Sequence, residues 1–282
     1  MSVKIACVQF EPHVGDCEGN RGRSLELIET AVGEGANLVV LPELTSSGYV
    51  FDSPEEARAL SEPVPGGDTC SAWEETARRH GIYIVAGIDE RADDALYNSA
   101  VVLGPDGYVG TYRKVHLWNQ ENRFFRPGDL GFPVFDTPIG RIAALICYDG
   151  WFPESYRQCA LQGADVICVP TNWVPIPGQR SDRDAMATIL TMGAAHSNRL
   201  IIACASRIGV ERGQPFIGQS LIATYSGWPI AGPAGTDTEE ILYVDVDPRS
   251  PGRFSPWNEF NQDPLGDRRP ETYTVCAADD SR

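Results

Sequence analysis

The chain has 282 residues, 42% of them hydrophobic, enough for a sizeable core in one large domain or two small ones. Its formal net charge of -16 argues against nucleic acid and anionic membrane as partners, because both select basic patches. No stretch approaches the roughly 18 apolar residues of a membrane helix, and residues 1–6 run directly into a strand pattern with no secretory signal.

Residues 3–10 read as a strand. From 20 to 34, apolar residues at 25, 28 and 32 with charges between them predict an amphipathic helix, ended by Gly35. Residues 37–41 form a second apolar strand closed by Pro42-Glu43. The Ser-, Pro- and Gly-rich stretch 45–68 predicts loop plus a short helix; 70–80 predicts a helix stopped by His80-Gly81, and 82–88 a strand. Residues 96–103 and 108–114 flank Gly104-Pro105-Asp106-Gly107 and predict a hairpin. Residues 115–138 carry no periodicity, and a structureless loop of that length is usually functional.

Residues 142–146 are an unbroken apolar run, too short for a helix, and predict a buried strand with Cys147 at its carboxyl end. Pro153 suits the first turn of a helix over 153–162, since that turn does not need its missing N–H. Next come a strand over 165–169, a helix from about 182 to 197 and a strand over 200–206. The rest, to 246, is strand-rich. Residues 247–282 read as an extension that packs on the domain or on a neighbouring subunit.

The alternation of strand and helix predicts an α/β layered domain. It also repeats. Gly35-Ala36-Asn37 and the apolar run to Pro42 match Gly163-Ala164-Asp165 and the run to Pro170; the strand opened by His80-Gly81-Ile82 parallels the strand opened by Asn198-Arg199-Leu200. Two such halves predict two sheets face to face with helices outside. No linker separates them, so residues 1–246 are expected to form one domain. The eight cysteines, at 7, 17, 70, 147, 159, 168, 204 and 276, include no CxxC pair; a reduced, cytoplasmic protein without disulfide scaffold or zinc knuckle is expected.

Three segments end in a reactive side chain: Glu43, Lys114 and Cys147. In open α/β sheets, sites form at the carboxyl ends of strands. If these ends converge, a carboxylate can take the thiol proton, and an ammonium can favour the thiolate and hold an oxyanion. The N–H of Tyr148 is a natural second oxyanion donor. The strand, sharp turn and helix around Cys147 match the layout of a nucleophile elbow.

Leu41-Pro42-Glu43, Tyr112-Arg113-Lys114-Val115-His116-Leu117, Ile146-Cys147-Tyr148-Asp149-Gly150-Trp151-Phe152-Pro153-Glu154 and Gly218-Gln219-Ser220 together resemble the nitrilase superfamily of carbon–nitrogen hydrolases, over roughly residues 3–246. The resemblance implies a four-layer αββα sandwich of two mixed sheets that pairs into a homodimer or higher homo-oligomer. It implies Glu43 as general base, Lys114 as oxyanion-stabilising cation and Cys147 as nucleophile, with neither cofactor nor metal. Glu121 matches a second family glutamate that holds Lys114 or the substrate nitrogen. His116 matches a frequent position and is expected to be structural, as is Glu154 paired with Arg157 at a helix start.

The expected chemistry is hydrolysis of a small-molecule amide through a Cys thioester. Tyr49, Trp118, Trp151, Asn172 and Trp173 are the substrate-binding candidates; Thr171-Asn172-Trp173 stands where the repeat places the partner of Pro42-Glu43. No Arg or Lys flanks Cys147 directly; Arg123, Arg126, Arg180 and Arg183 are too distant in sequence to judge. Asp149 is expected to suit a neutral or amine-bearing substrate. The pattern around Cys147 is similar to that of aliphatic amidases, while Trp151-Phe152-Pro153-Glu154 is similar to N-carbamoylputrescine amidases. True nitrilases usually carry Cys-Trp-Glu, where this chain has Cys147-Tyr148-Asp149. An amidase acting on a small aliphatic or ω-substituted amide ranks first, an N-carbamoyl amidohydrolase second and a nitrilase third. A catalytically silent binding member and a cysteine redox protein are the readings from other classes.

Overall fold

The computed structural model describes residues 2–179 and 184–273. Two six-stranded mixed sheets form its centre. The first contains β1 (Val3–Gln9), β2 (Leu38–Val40), β3 (Tyr83–Ala92), β4 (Ala95–Gly104), β5 (Gly107–Arg113) and the late strand β14 (Glu240–Val246), in the order β14-β1-β2-β3-β4-β5. The second contains β6 (Val134–Thr137), β7 (Gly140–Ala144), β8 (Val166–Thr171), β9 (Ile201–Ser206), β12 (Leu221–Ala223) and β13 (Pro229–Ala231), in the order β6-β7-β8-β9-β12-β13. A small ribbon, β10 (Val210–Glu211) with β11 (Gln214–Pro215), stands apart.

The sequence echo is a structural repeat. In each sheet three parallel strands form the middle, β1-β2-β3 or β7-β8-β9, with one antiparallel strand on one flank and two on the other. The repeat makes β8 the counterpart of β2 and β9 the counterpart of β3, as the matching sequences require.

The layers follow from the pleat. In β1, Val3, Ile5 and Cys7 pack into the core shared with the second sheet, while Ala6 and Val8 pack with Leu27 and Ile28 of α1 (Cys17–Gly33) and Trp73 and Ala77 of α3 (Asp68–His80). Strands covered on both faces need near-continuous apolar sequence, which β1, β2 and β8 supply. On the far side, Tyr156 and Cys159 of α4 (Pro153–Leu161) and Ala187 and Ala195 of α5 (Met186–Asn198) join the core under the second sheet. The short α2 (Pro54–Leu60) lies in the expected loop region.

Some boundaries differ from the sequence reading. Residues 115–138 are not structureless: they contain a 3-10 turn at Asn119–Arg123 and the edge strand β6. A four-residue strand with only one fully buried position carries too little alternation to recognise. Helix α1 begins at Cys17 rather than 20, because Asp16 caps it through the Gly19 N–H at 2.9 Å. The first residues expected in the helix over 182–197 lie outside the described residues.

After β14 the chain crosses to the second sheet. Arg253 is buried, donating to Asp165 Oδ1 at 2.6 Å, Ala164 O at 2.5 Å and Arg199 O, and Arg199 returns a bond to Arg253 O at 2.9 Å. These contacts seal the end of the Gly163-Ala164-Asp165 turn. Among the described residues no helix is long and apolar enough to cross a membrane.

Candidate active site

Three chain segments deliver the site. Just past β2, Pro42-Glu43 turns under β3, where a Cβ at Gly87 would lie 2.4 Å from the Glu43 Cα; only glycine lets the strand pass so close. Lys114 follows directly on β5. Cys147 stands after β7 with φ of +43°, left-handed backbone that a non-glycine residue adopts at a cost.

The cost is offset by Asp149. Its carboxylate accepts from the Ile146 N–H at 2.9 Å and the Tyr112 hydroxyl at 2.7 Å with one oxygen, and from the His116 N–H at 3.1 Å with the other, which also meets His116 Nδ1 at 2.8 Å. Asp149 therefore clamps the cysteine turn to the strand that carries Lys114. The His116 ring stacks on Phe152 at 3.7 Å, a structural placement as the sequence suggests. The expectation that Asp149 tunes substrate charge is corrected: the carboxylate is fully buried, committed to four polar groups and absent from the pocket wall.

The three strand ends converge. Lys114 Nζ donates to Glu43 Oε1 at 2.6 Å and to Glu121 Oε1 at 2.7 Å, all three side chains being buried. Asn98 Nδ2 also donates to Glu43 Oε1, at 2.7 Å, while Glu43 Oε2 is buried with no partner among the described residues. Glu121 is held in turn by the Tyr49 hydroxyl at 2.6 Å and the Trp118 N–H at 3.2 Å.

The charges respond to this packing. Burial pushes the Glu43 carboxyl up and the Lys114 ammonium pulls it back; the nearby Glu121 charge adds to the rise, and the result is about 7. Burial alone would depress the Lys114 ammonium, but Glu121, Glu43 and Cys147 together outweigh it and hold it above its ordinary value. The Cys147 thiol is raised, first by burial and then by the Glu43 charge, with Lys114 countering only part of that. The ammonium does favour the thiolate, as expected, but Lys114 is shared by two carboxylates, and burial and the Glu43 charge outweigh it.

A cleft opens over Cys147, lined by Trp118, Tyr148, Trp151, Asn172, Trp173, Val174 and Ile176. Four of the five substrate-binding candidates thus meet at one wall. Tyr49 does not: it lines an adjoining cavity with Glu121, Gln120 and Gln214, and the two cavities share Trp118 and Val174. The Tyr148 N–H lies in the first turn of the 3-10 helix Cys147–Trp151, where helical N–H groups lack an internal acceptor. Arg123 and Arg126 are exposed and line neither cavity; Arg180 and Arg183 lie outside the described residues.

Other expectations resolve less simply. Glu154 occupies the first turn of α4, but Arg157 does not pair with it, and Arg157 Nη1 is buried without a hydrogen-bond partner among the described residues. Gly218-Gln219-Ser220 lies away from the pocket: Ser220 bonds Gln9 Oε1 at 2.9 Å and the Ser206 N–H at 2.8 Å, tying the two sheets together. Sequence reasoning missed Asn98, whose signal was a polar pair, Asn98-Ser99, inside an apolar strand. It also missed Glu211, which accepts the N–H groups of Tyr49 and Val50 at 2.7 and 2.6 Å and Arg207 Nη1 at 2.9 Å, fixing the loop that carries Tyr49. Among the described residues no group of three or more His, Cys, Asp or Glu is placed to hold a metal ion.

Residues 4–253 match the family model for carbon–nitrogen hydrolases. The chain belongs to this family. The hydrolase is 42% identical over 271 residues to a nitrilase from Pyrococcus abyssi, covering 96% of this chain and 99% of the relative. It is 34% identical over 291 residues to an N-carbamoylputrescine amidase from Solanum lycopersicum, covering 97% and 94%. It superposes with a TM-score of 0.77 and 26% identity on an amidase from Nesterenkonia sp. AN1 that carries acrylamide added at its active site cysteine, covering 95% and 97%. The hydrolase is thus a cysteine-dependent enzyme of the nitrilase superfamily, with the expected sandwich of two mixed sheets flanked by helices.

Proposed function

We propose that the hydrolase is an amidase that converts a small aliphatic or ω-substituted amide to the acid and ammonia. The observation that carries this reading is Glu43 Oε2, buried and unpartnered among the described residues on a carboxyl held near neutrality, in the same charge cluster as the Cys147 thiol and the Lys114 ammonium. A base with a pKa near the working pH combines a useful deprotonated population with real proton affinity.

Glu43 takes the thiol proton as Cys147 attacks the amide carbon. The new C–S bond forms while the carbonyl π electrons move to oxygen, where Lys114 and the Tyr148 N–H meet them. The oxyanion collapses, the C–N bond breaks, and the proton held by Glu43 goes to the departing nitrogen. Ammonia leaves and a thioester remains. Glu43 then takes a proton from water, hydroxide adds to the thioester, and the acid departs as the thiol is restored. Glu121, pinned by Tyr49, keeps Lys114 in place.

The pocket supports a neutral acyl group. Its walls are aromatic or aliphatic except for Asn172 and Cys147, and no guanidinium among the described residues reaches it to recognise a carboxylate. A second reading, an N-carbamoyl amine amidohydrolase, is supported by the name of the Solanum lycopersicum relative and by three indole rings around the cavity, which suit an ammonium tail. An ammonia-release screen over short amides, ω-amides, carbamoyl amines and nitriles separates these readings, with the Cys147→Ala protein as blank. Equal release by that folded variant would refute both.

Assembly into a homodimer is part of the proposal. Met186 and Ile189 are exposed along α5, and Trp228 and Trp257 are exposed on loops. Light scattering at micromolar concentration reads the result; a monomer at all concentrations would overturn it.

A further inference from the structure

The repeat places the end of β8 opposite the end of β2, and both ends reach the site. One bears Glu43. The other bears Asn172, which is buried and lines the cavity over Cys147. Asn172 Nδ2 donates to the backbone carbonyl of Glu43 at 3.0 Å. That contact fixes the orientation of the amide, because a backbone carbonyl can only accept. Asn172 Oδ1 is therefore the free end, and it is buried with no donor among the described residues. A buried acceptor without a partner is costly, and such atoms in native proteins call for an explanation. The residue that carries this atom also lines the cavity over Cys147, where substrate would bind.

We propose that Asn172 Oδ1 accepts an N–H of the substrate's carbonyl-bound NH2 group, making Asn172 the residue that selects primary amides and carbamoyl groups over nitriles and esters. The inference rests on the amidase reading given above. A primary amide presents two N–H donors beside the carbon that Cys147 attacks. A nitrile nitrogen and an ester oxygen present only lone pairs, which would face Oδ1 in repulsion. A site built to bond a substrate N–H rejects analogues that lack it far better than an apolar wall rejects a misfit. The same contact orients the departing nitrogen. Because Asn172 is tied to the Glu43 backbone, its acceptor is held at a fixed place relative to the base that returns the proton.

The test compares propionamide with p-nitrophenyl propionate, which acylates the same sulfur without an N–H. The value of kcat/KM is measured for the wild type, Asn172→Leu and Asn172→Asp, with Cys147→Ala as blank and circular dichroism as the check on folding. Asn172→Leu removes the acceptor; the amide-to-ester ratio should fall on the order of tenfold or more, the loss expected for one desolvated hydrogen bond. Asn172→Asp keeps an acceptor but loses the tie to Glu43; both substrates should slow while the ratio stays within a few-fold of wild type. Should the Leu protein fail to fold, Asn172→Ala gives the same reading. Amide and ester falling together in the Leu or Ala variant, or an unchanged amide rate, would overturn the assignment. Turnover surviving in Cys147→Ala would instead refute the amidase mechanism beneath it, so the two failures are distinguishable.

Discussion

The two halves of this hydrolase share a strand plan and differ at the strand ends that meet in the site. After β2 the chain reads Leu41-Pro42-Glu43; after the matching run in β8 it reads Val169-Pro170-Thr171-Asn172. The proline recurs, and the reactive group does not. The first half brings a carboxylate and, one hairpin later, an ammonium. The second brings the thiol and neutral hydrogen-bonding groups. The repeat supplies a rigid floor of parallel strands, and the chemistry comes from where the halves have ceased to match.

That contrast can be broken from either side. The largest expected effect is on the first half's base. Glu43→Gln keeps size and most bonding but cannot take a proton, and kcat should fall about 10²- to 10⁴-fold for amide and ester alike. Ammonia and p-nitrophenol assays on the same folded preparation read it, and a loss confined to amides would move the base role elsewhere.

Next is the first half's ammonium. Lys114→Met leaves Glu43 and Glu121 buried without their shared cation, a change expected to cost about 3–5 kcal/mol of stability. Urea or thermal unfolding measures it; a variant as stable as wild type would show that the carboxylates are not both charged. Asp149→Asn turns an amide nitrogen toward N–H donors that the carboxylate now satisfies. About 1–3 kcal/mol should be lost, with activity falling as the left-handed Cys147 turn loosens.

A smaller effect is a pH dependence. The base form of Glu43 is populated above its pKa and lost below it, so kcat/KM should drop tenfold per pH unit on the acid side of about 7. A profile flat down to pH 5 would contradict the assignment. The smallest is Tyr49→Phe. It removes one of the bonds on Glu121 and leaves Lys114 in place, so kcat should change only a few-fold in a steady-state assay.

Much of this is legible in the sequence, for a physical reason. Strands covered on both faces must be continuous apolar runs, so β1, β2 and β8 stand out, and a reactive residue at the end of such a run is conspicuous. Glu43 and Cys147 are visible that way, Lys114 at the end of a hairpin strand, and Trp118, Trp151, Asn172 and Trp173 through their neighbourhood to those ends. What stays hidden is whatever acts across long chain separations through side-chain bonds. Asp149 looks like a pocket charge in the sequence because two of its three partner residues, Tyr112 and His116, lie 37 and 33 residues away. Asn98 lies 55 residues from Glu43, and Glu211 lies 162 and 161 residues from Tyr49 and Val50. Tyr49 reads as a wall residue because nothing in its sequence neighbourhood points to Glu121.

The central claim is that one sulfur, Cys147, carries the acyl group between attack and release. Acid-quenched turnover of a slow amide, followed by peptide mass mapping, tests it directly. The account predicts an acyl thioester on the peptide containing Cys147, removed by hydroxylamine and absent from Cys147→Ala. An acyl group mapped to any other residue, or steady ammonia release by the Ala variant, would contradict it.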